Sequence, residues 1–265
     1  IIIIEKAYNH NIYSYPKMSG NTENFFYKLA RPPAKKQTKI VSIEGNIGSG
    51  KSTLVDALSK KYASHSNICF LQEPVDIWNT IQDKEGNTML AKFYGDTKKY
   101  SFAFQMMAYI SRLSLLRKAI SENYDIIVVE RSMFTDKMVF AKMLYDDGNM
   151  EEVEYQIYNK WFDEFIEDLP PIHVIYVKTS PEIAKARVEK RAREGEEIPL
   201  EYLINCHKYH EDWLNSDDRS YDRKIVIQGD TDIEKDSDML GVWLERCGIF
   251  MEGIDDKEPS ITLHL

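Results

Sequence analysis

The stretch Gly45-Asn46-Ile47-Gly48-Ser49-Gly50-Lys51-Ser52-Thr53 directly follows a β-branched run and directly precedes a helical pattern. It fits G-x-x-x-x-G-K-[ST], a loop whose glycines let successive backbone N–H groups turn inward around phosphate oxygens. The helix behind it offers its positive end, Lys51 can reach the β- and γ-phosphates, and Ser52 can ligate Mg²⁺. Such a loop sits at the carboxyl end of a strand in an α/β sheet, so it constrains architecture as well as chemistry. It implies a nucleoside triphosphate and leaves the acceptor open: motor, switch, ATPase or small-molecule kinase.

From Lys39 onward, short β-branched runs alternate with helical stretches, the pattern of a parallel sheet wrapped by helices. Strands are predicted at Ile40–Ile43, Ile68–Leu71, Ile126–Val129, Val174–Val177 and Ile225–Ile227. Helical spacing runs through 52–62, 98–121, 132–145, 150–168, 181–193, 199–215 and 233–247. With 43% hydrophobic residues over 265, the chain can bury a sizeable core, which excludes a disordered or fibrous protein. No apolar run approaches the ~18 to 20 residues that cross a bilayer, so a soluble protein without membrane contact is expected. A net charge of −9 argues against a basic surface for a nucleic-acid polymer, and any anionic ligand must be held locally. Three widely spaced cysteines indicate neither a disulfide framework nor a zinc knuckle, and a reducing compartment is expected.

Residues 1–38 are basic, rich in Asn, Ser and Tyr, and read as a flexible leader to a single domain over 39–265. The leading isoleucine suggests a fragment or a processed product. The leader's single arginine favours the cytoplasm, with a mitochondrial transit peptide as the alternative.

Two carboxylates stand just past predicted strands. Glu73 precedes Pro74, which pushes it out of the helical region and fixes it on an extended turn, a setting that suits a general base. Glu130-Arg131-Ser132 places an acid that can hold the metal beside a guanidinium that can reach phosphate or orient the base. Gln105, Ala108 and Arg112 share one helix face, where the glutamine amide can pair with a nucleobase edge and Arg112 with Asp136. Arg187, Lys190, Arg191 and Arg193 cluster late in a helix as a candidate lid over the transferring phosphoryl. His207 and His210 read as a solvated helix face, Asp163, Glu164, Glu167 and Asp168 as an exposed acidic one, and Trp161 and Trp213 as core or interface packing.

These motifs, in this order over roughly residues 39–247, resemble the deoxynucleoside kinases, in particular the deoxycytidine/deoxyguanosine kinase group. The resemblance rests on the phosphate loop, Glu73-Pro74-Val75 with Trp78, Tyr94, Ser101 to Gln105, Ser111-Arg112, Glu130-Arg131-Ser132 with Asp136 and Phe140, Arg187 to Arg193, and Ile198-Pro199-Leu200-Glu201-Tyr202-Leu203. It implies a P-loop kinase fold with a five-stranded parallel sheet, a homodimer, and transfer of the γ-phosphoryl of ATP or another nucleoside triphosphate to a deoxynucleoside 5′-hydroxyl. It further implies Glu73 as base, Arg131 contacting the hydroxyl and Glu73, and Lys51 and the loop amides on the donor phosphates. Ser52 and Glu130 would place Mg²⁺. Tyr94 and a lid glutamate, Glu196 or else Glu197, would bind the ribose 3′-hydroxyl. Gln105, Asp136 and Arg112 would read the base among Trp78, Phe104 and Phe140, and Arg187, Arg191 and Arg193 would form the lid. Asp232 falls where the family's donor-base loop lies. Arg112 with Asp136 favours deoxycytidine and purine deoxynucleosides over thymidine. A thymidine-preferring or broad-specificity enzyme, a nucleoside monophosphate kinase, and a non-catalytic binding protein of the same fold are the alternatives.

Overall fold

The computed structural model describes residues 38–192, 197–217, 220–233 and 235–255, which fall within one compact unit, Gln37–Leu265. Five parallel strands, β1 (Lys39–Glu44), β2 (Ile68–Leu71), β3 (Ile126–Glu130), β4 (Ile172–Lys178) and β5 (Arg223–Gln228), form one sheet in the order β2-β3-β1-β4-β5. The central β1 pairs Ile43 with Glu130 of β3 and Glu44 with Tyr176 of β4. Its side chains therefore alternate between two hydrophobic layers, as a strand covered on both faces must. Val41 and Ile43 join Leu54, Leu58 and Trp243 on one face, while Ile40 joins Tyr109, Met143 and Tyr158 on the other.

Helices α1 (Lys51–Lys61) and α10 (Ser237–Glu252) cover the first face. The second is covered by α4 (Thr97–Ser121), α7 (Glu152–Ile166) and α9 (Leu200–Leu214). All five predicted strands form, and each predicted helical stretch holds a helix within a few residues of its bounds, apart from 132–145. That stretch is α5 (Met133–Thr135), a π-helical turn (Asp136–Ala141) and α6 (Lys142–Asp146). Two short helices, α2 (Val75–Asn79) and α3 (Met89–Gly95), escape the periodic reading because one or two turns carry too little pattern. Helix α8 (Pro181–Arg191) follows β4 with Pro181 in its first turn, where a missing N–H costs nothing.

Residues 1–37 of the expected leader lie outside the described residues. Its last residue, Thr38, donates from Oγ1 to the Tyr124 carbonyl at 2.8 Å and belongs to the fold. His210 corrects the reading of a solvated face. It lies on the side of α9 turned to the core, fully buried, between Tyr176 and Phe140, because Leu203, Cys206, His210 and Trp213 form one helical stripe. No described helix is long and apolar enough to cross a membrane.

Candidate active site

The strands end together along one edge, and the turns there line a cleft of about 380 Å³. Above β1 the phosphate loop closes on neighbours that leave no room for side chains. A Cβ at Gly45 (φ 143°) would lie 2.5 Å from the Val177 carbonyl, and one at Gly48 (φ 77°) 2.4 Å from that of Ala184 on α8. Asn46 donates from Nδ2 to the Leu203 carbonyl at 2.8 Å, tying the loop to α9, and its Oδ1 accepts from the Ile47 N–H at 2.8 Å. Lys51, at the start of α1, is buried and donates from Nζ to the Asn46 carbonyl at 2.6 Å. Burial first, and then repulsion from Arg131, bring its ammonium down to about 7, against the pull of Glu130, Glu73 and Glu44.

Ser52 donates to Glu130 Oε1 at 2.7 Å, so a hydroxyl and a carboxylate meet beside the phosphate loop. The described residues hold no cluster of three or more His, Cys, Asp or Glu side chains suited to a metal. One hydroxyl and one carboxylate next to a phosphate cradle suit Mg²⁺, which keeps waters and takes substrate oxygens rather than a full protein cage.

At the β2 end, Glu73 lies before buried Pro74 and accepts through Oε1 from Arg112 Nη2 at 2.5 Å and Arg131 Nη1 at 3.1 Å. Burial works to raise its carboxyl, but the two guanidinium charges and the Arg112 hydrogen bond outweigh it and hold the group well below the usual carboxylate range. Arg112 reaches across from α4: its Nε donates to both Asp136 oxygens at 3.1 and 3.3 Å, and its Nη1 to the Glu130 carbonyl at 3.2 Å. Asp136 opens the π-helical turn, and burial lifts its carboxyl to about 6 despite Arg112. Arg131 has φ 62°, a left-handed conformation that costs a side-chain-bearing residue about 1–2 kcal/mol. Its own N–H donates to the Ile43 carbonyl at 3.1 Å, and the next N–H, of Ser132, to Glu44 Oε1 at 2.9 Å.

Aromatic side chains wall the adjoining chamber. Phe104 stacks on Phe93 at 4.5 Å and meets Trp78 edge-on at 5.7 Å, and Trp78 is fixed by its indole N–H donating to Ser111 Oγ at 2.8 Å. Arg112 lies over the Trp78 ring at 5.3 Å and Arg131 over the Phe140 ring at 5.3 Å. Gln105 is buried with its carboxamide oxygen unpartnered among the described residues, and half-buried Tyr94 also lines the cleft.

At the opposite end Arg187, Arg191 and Asp232 line the cleft with Ile233 and Trp243. Arg187 donates to four carbonyls, those of Ser49 (3.3 Å), Gly229 (2.8 Å), Asp230 (3.2 Å) and Thr231 (2.9 Å). It thus stitches the phosphate loop to the turn after β5. Arg193 and Glu196 lie outside the described residues, and Glu197 is exposed. Apart from those three, the cleft lining takes in every expected site residue except Gly45 and Asn46, which form the turn beneath it. The sequence signals do not mark Leu90, Phe93, Ile233 and Trp243, which lack charge and sit in no motif, or Glu44, whose place at a strand end is the same signal that singles out Glu73 and Glu130.

Comparison with known proteins bears on this arrangement. The family model described as deoxynucleoside kinase matches residues 41–245. A probable deoxycytidine kinase of fowlpox virus is 38% identical over 206 residues, covering 75% of this chain and 82% of the relative. Deoxycytidine kinase 2 of Gallus gallus is 35% identical over 203 residues (68% and 75% covered). The mitochondrial thymidine kinase 2 of Homo sapiens is 33% identical over 203 residues (74% and 73%).

Proposed function

The chain belongs to the deoxynucleoside kinase family, and on that premise we propose that it transfers the γ-phosphoryl of ATP, or another nucleoside triphosphate, to the 5′-hydroxyl of deoxycytidine or a purine deoxynucleoside in preference to thymidine. The observation that carries this reading is Glu73, ionised between Arg112 and Arg131 and sharing one cleft with the phosphate loop. Lys51 and the loop amides hold the donor phosphates, and arrival of a polyanion beside Lys51 restores the charge that burial weakens.

The 5′-oxygen bonds to the γ-phosphorus as the bond to the β–γ bridging oxygen breaks, and Glu73 takes the hydroxyl proton. A carboxylate held so far below its usual range is a weak base, so Glu73 orients the hydroxyl and accepts the proton late, as a loose transition state permits. Arg131 fixes Glu73 and reaches the same hydroxyl. Arg187 and Arg191, with Arg193, belong to the donor side, as does Asp232. Ser52 and Glu130 would hold Mg²⁺, whose charge offsets that building on the phosphate oxygens. Tyr94 and Glu196 are assigned to the ribose 3′-hydroxyl.

Base choice is assigned to Gln105 and Asp136, packed among Trp78, Phe104 and Phe140. The unpartnered Gln105 oxygen and an Asp136 carboxylate held by Arg112 both accept, which suits the exocyclic amine of cytosine or adenine and not the carbonyl at the matching edge of thymine. We also assign a homodimer, supported by an exposed apolar stripe on α7, a single kinase domain over 39–265, and a cytoplasmic location.

The test is ADP release from ATP and Mg²⁺ with each of the four deoxynucleosides in turn, and with deoxynucleoside monophosphates as competing acceptors. Turnover on deoxycytidine or a purine deoxynucleoside, reduced at least a hundredfold by Glu73→Gln with nucleoside binding retained, is expected. Turnover on monophosphates alone, or none on any acceptor, overturns the reading.

A further inference from the structure

Outside the groups just assigned, one ionisable side chain is fully enclosed at the sheet edge. Glu44, the last residue of β1, projects from the same face of the strand as Ile40, toward the layer that contains α5 and the π-helical turn. Its Oε1 accepts from Ser42 Oγ at 2.5 Å and from the Ser132 N–H at 2.9 Å, and its Oε2 accepts from Thr135 Oγ1. A buried carboxylate is tolerated only when hydrogen-bonded, and here three donors converge on it. Two of the three belong to the segment that carries Arg131 and Asp136.

Arg131 is the residue this network brackets. Its φ of 62° is one that L side chains rarely adopt and that persists where the surroundings over-determine it. The Ile43 carbonyl holds the peptide before it and the Glu44 carboxylate the peptide after it, so consecutive residues of β1 grip both sides of the turn. The turn directs the guanidinium to Glu73 at 3.1 Å and toward the Gly45 carbonyl at 3.5 Å. Thr135, held by the same carboxylate, immediately precedes Asp136. Glu44 also adjoins Gly45, where the phosphate loop begins.

We infer that Glu44 is a positioning residue, whose carboxylate locks the left-handed turn at Arg131 and the start of the π-helical turn at Asp136 in register with the phosphate loop. It touches no substrate and acts through Arg131 and Asp136. The inference rests on the kinase reading above for its effect on turnover, and on geometry alone for its effect on Arg131.

Glu44→Gln keeps the shape and one carbonyl to accept from Ser132, whereas Glu44→Ala removes every acceptor. With deoxycytidine or the best purine deoxynucleoside, Glu44→Ala is expected to lower kcat by about ten- to a hundredfold, with the KM for the donor within about twofold, as a displacement near 1 Å at a catalytic group does. Glu44→Gln should fall between Glu44→Ala and wild type. The acid limb of kcat/KM should also move to higher pH in both variants, because a guanidinium that drifts from Glu73 no longer depresses its carboxyl. A merely structural role would lower stability and move donor KM and kcat together without shifting that limb. Crystal structures of the two variants supply the readout independent of turnover, with Glu44→Gln serving where Glu44→Ala does not fold. Arg131 should leave the left-handed region or lose its 3.1 Å contact to Glu73. Arg131 unchanged in φ and contact, or an unshifted acid limb in an active variant, overturns the inference. A wild-type chain inactive on all nucleosides defeats the kinase reading and leaves the Arg131 geometry to decide this one.

Discussion

Arg112 joins two carboxylates that would otherwise repel each other: Nη2 serves Glu73 and Nε serves Asp136. Burial opposes its charge, yet Asp136 and Glu73 hold its guanidinium more firmly protonated than usual. Breaking such a pair commonly costs about 3–5 kcal/mol, because the partner is left buried and unpaired. Here Asp136, already raised to about 6, can take up a proton and limit the loss. Arg112→Met should therefore fold with reduced stability, and a protonated or displaced Asp136 should no longer favour an amine. The expected outcome is at least a tenfold rise in the kcat/KM ratio of thymidine to deoxycytidine, and an unchanged ratio would remove Arg112 from base choice. The Arg112–Asp136 pair was legible in the sequence because both members sit in motifs. The contact from Arg112 to Glu73 was not, since it depends on how the β2 end approaches α4.

On helix α7, Val153, Ile157 and Trp161 lie four residues apart on one face and are 64%, 41% and 48% exposed, while its other face carries buried Tyr158 and Phe162. Ile110, 51% exposed, presents a further apolar side chain from the neighbouring α4. A stripe of this kind suits the homodimer proposed above, in which a second copy brings the same stripe and apolar burial has to offset the repulsion between two chains of net charge −9. Trp161→Glu should convert the proposed dimer to a monomer in sedimentation or light scattering, with the melting temperature changed by only a few degrees. A wild-type chain that sediments as a monomer would remove the dimer. Element by element, the 3.6-residue period exposes long helices such as α7 and α9, but it cannot register the π-helical turn. A wide turn at Asp136–Ala141 preserves apolar spacing while rotating Asp136 and Phe140 toward the cleft.

Across the molecule, stability couples to pH through buried groups that have no catalytic assignment. His210 donates from Nδ1 to the Cys206 carbonyl at 2.7 Å, which leaves Nε2 buried with no partner among the described residues, and burial lowers the ring to about 3 from an ordinary 6.5. A depressed histidine contributes stability that is complete above 6.5 and lost as pH falls toward 3, because only the unfolded chain binds the proton in that window. The slope from this one group is at most about 1.4 kcal/mol per pH unit. His173, also lowered by burial, adds to it. Asp136 acts in the opposite sense between 3.8 and about 6, where the folded chain holds the extra proton. Urea melts from pH 7 to 4 should show stability falling toward acid, and His210→Leu should flatten the fall. A slope identical in the variant would assign it elsewhere. Local motifs single out the residues assigned above to triphosphate and acceptor, whereas burial of His210 and enclosure of Glu44 emerge only once α9 and α5 are laid on the sheet. The four charges at the heart of the cleft, Glu73 and Asp136 against Arg112 and Arg131, cancel when all are ionised. The neutral nucleoside proposed as acceptor would meet a chamber to which these four groups bring no net charge. The same molecule bearing a new phosphate would bring about two negative charges beside the Glu73 carboxylate, so the balance that suits the neutral acceptor would no longer hold for the product.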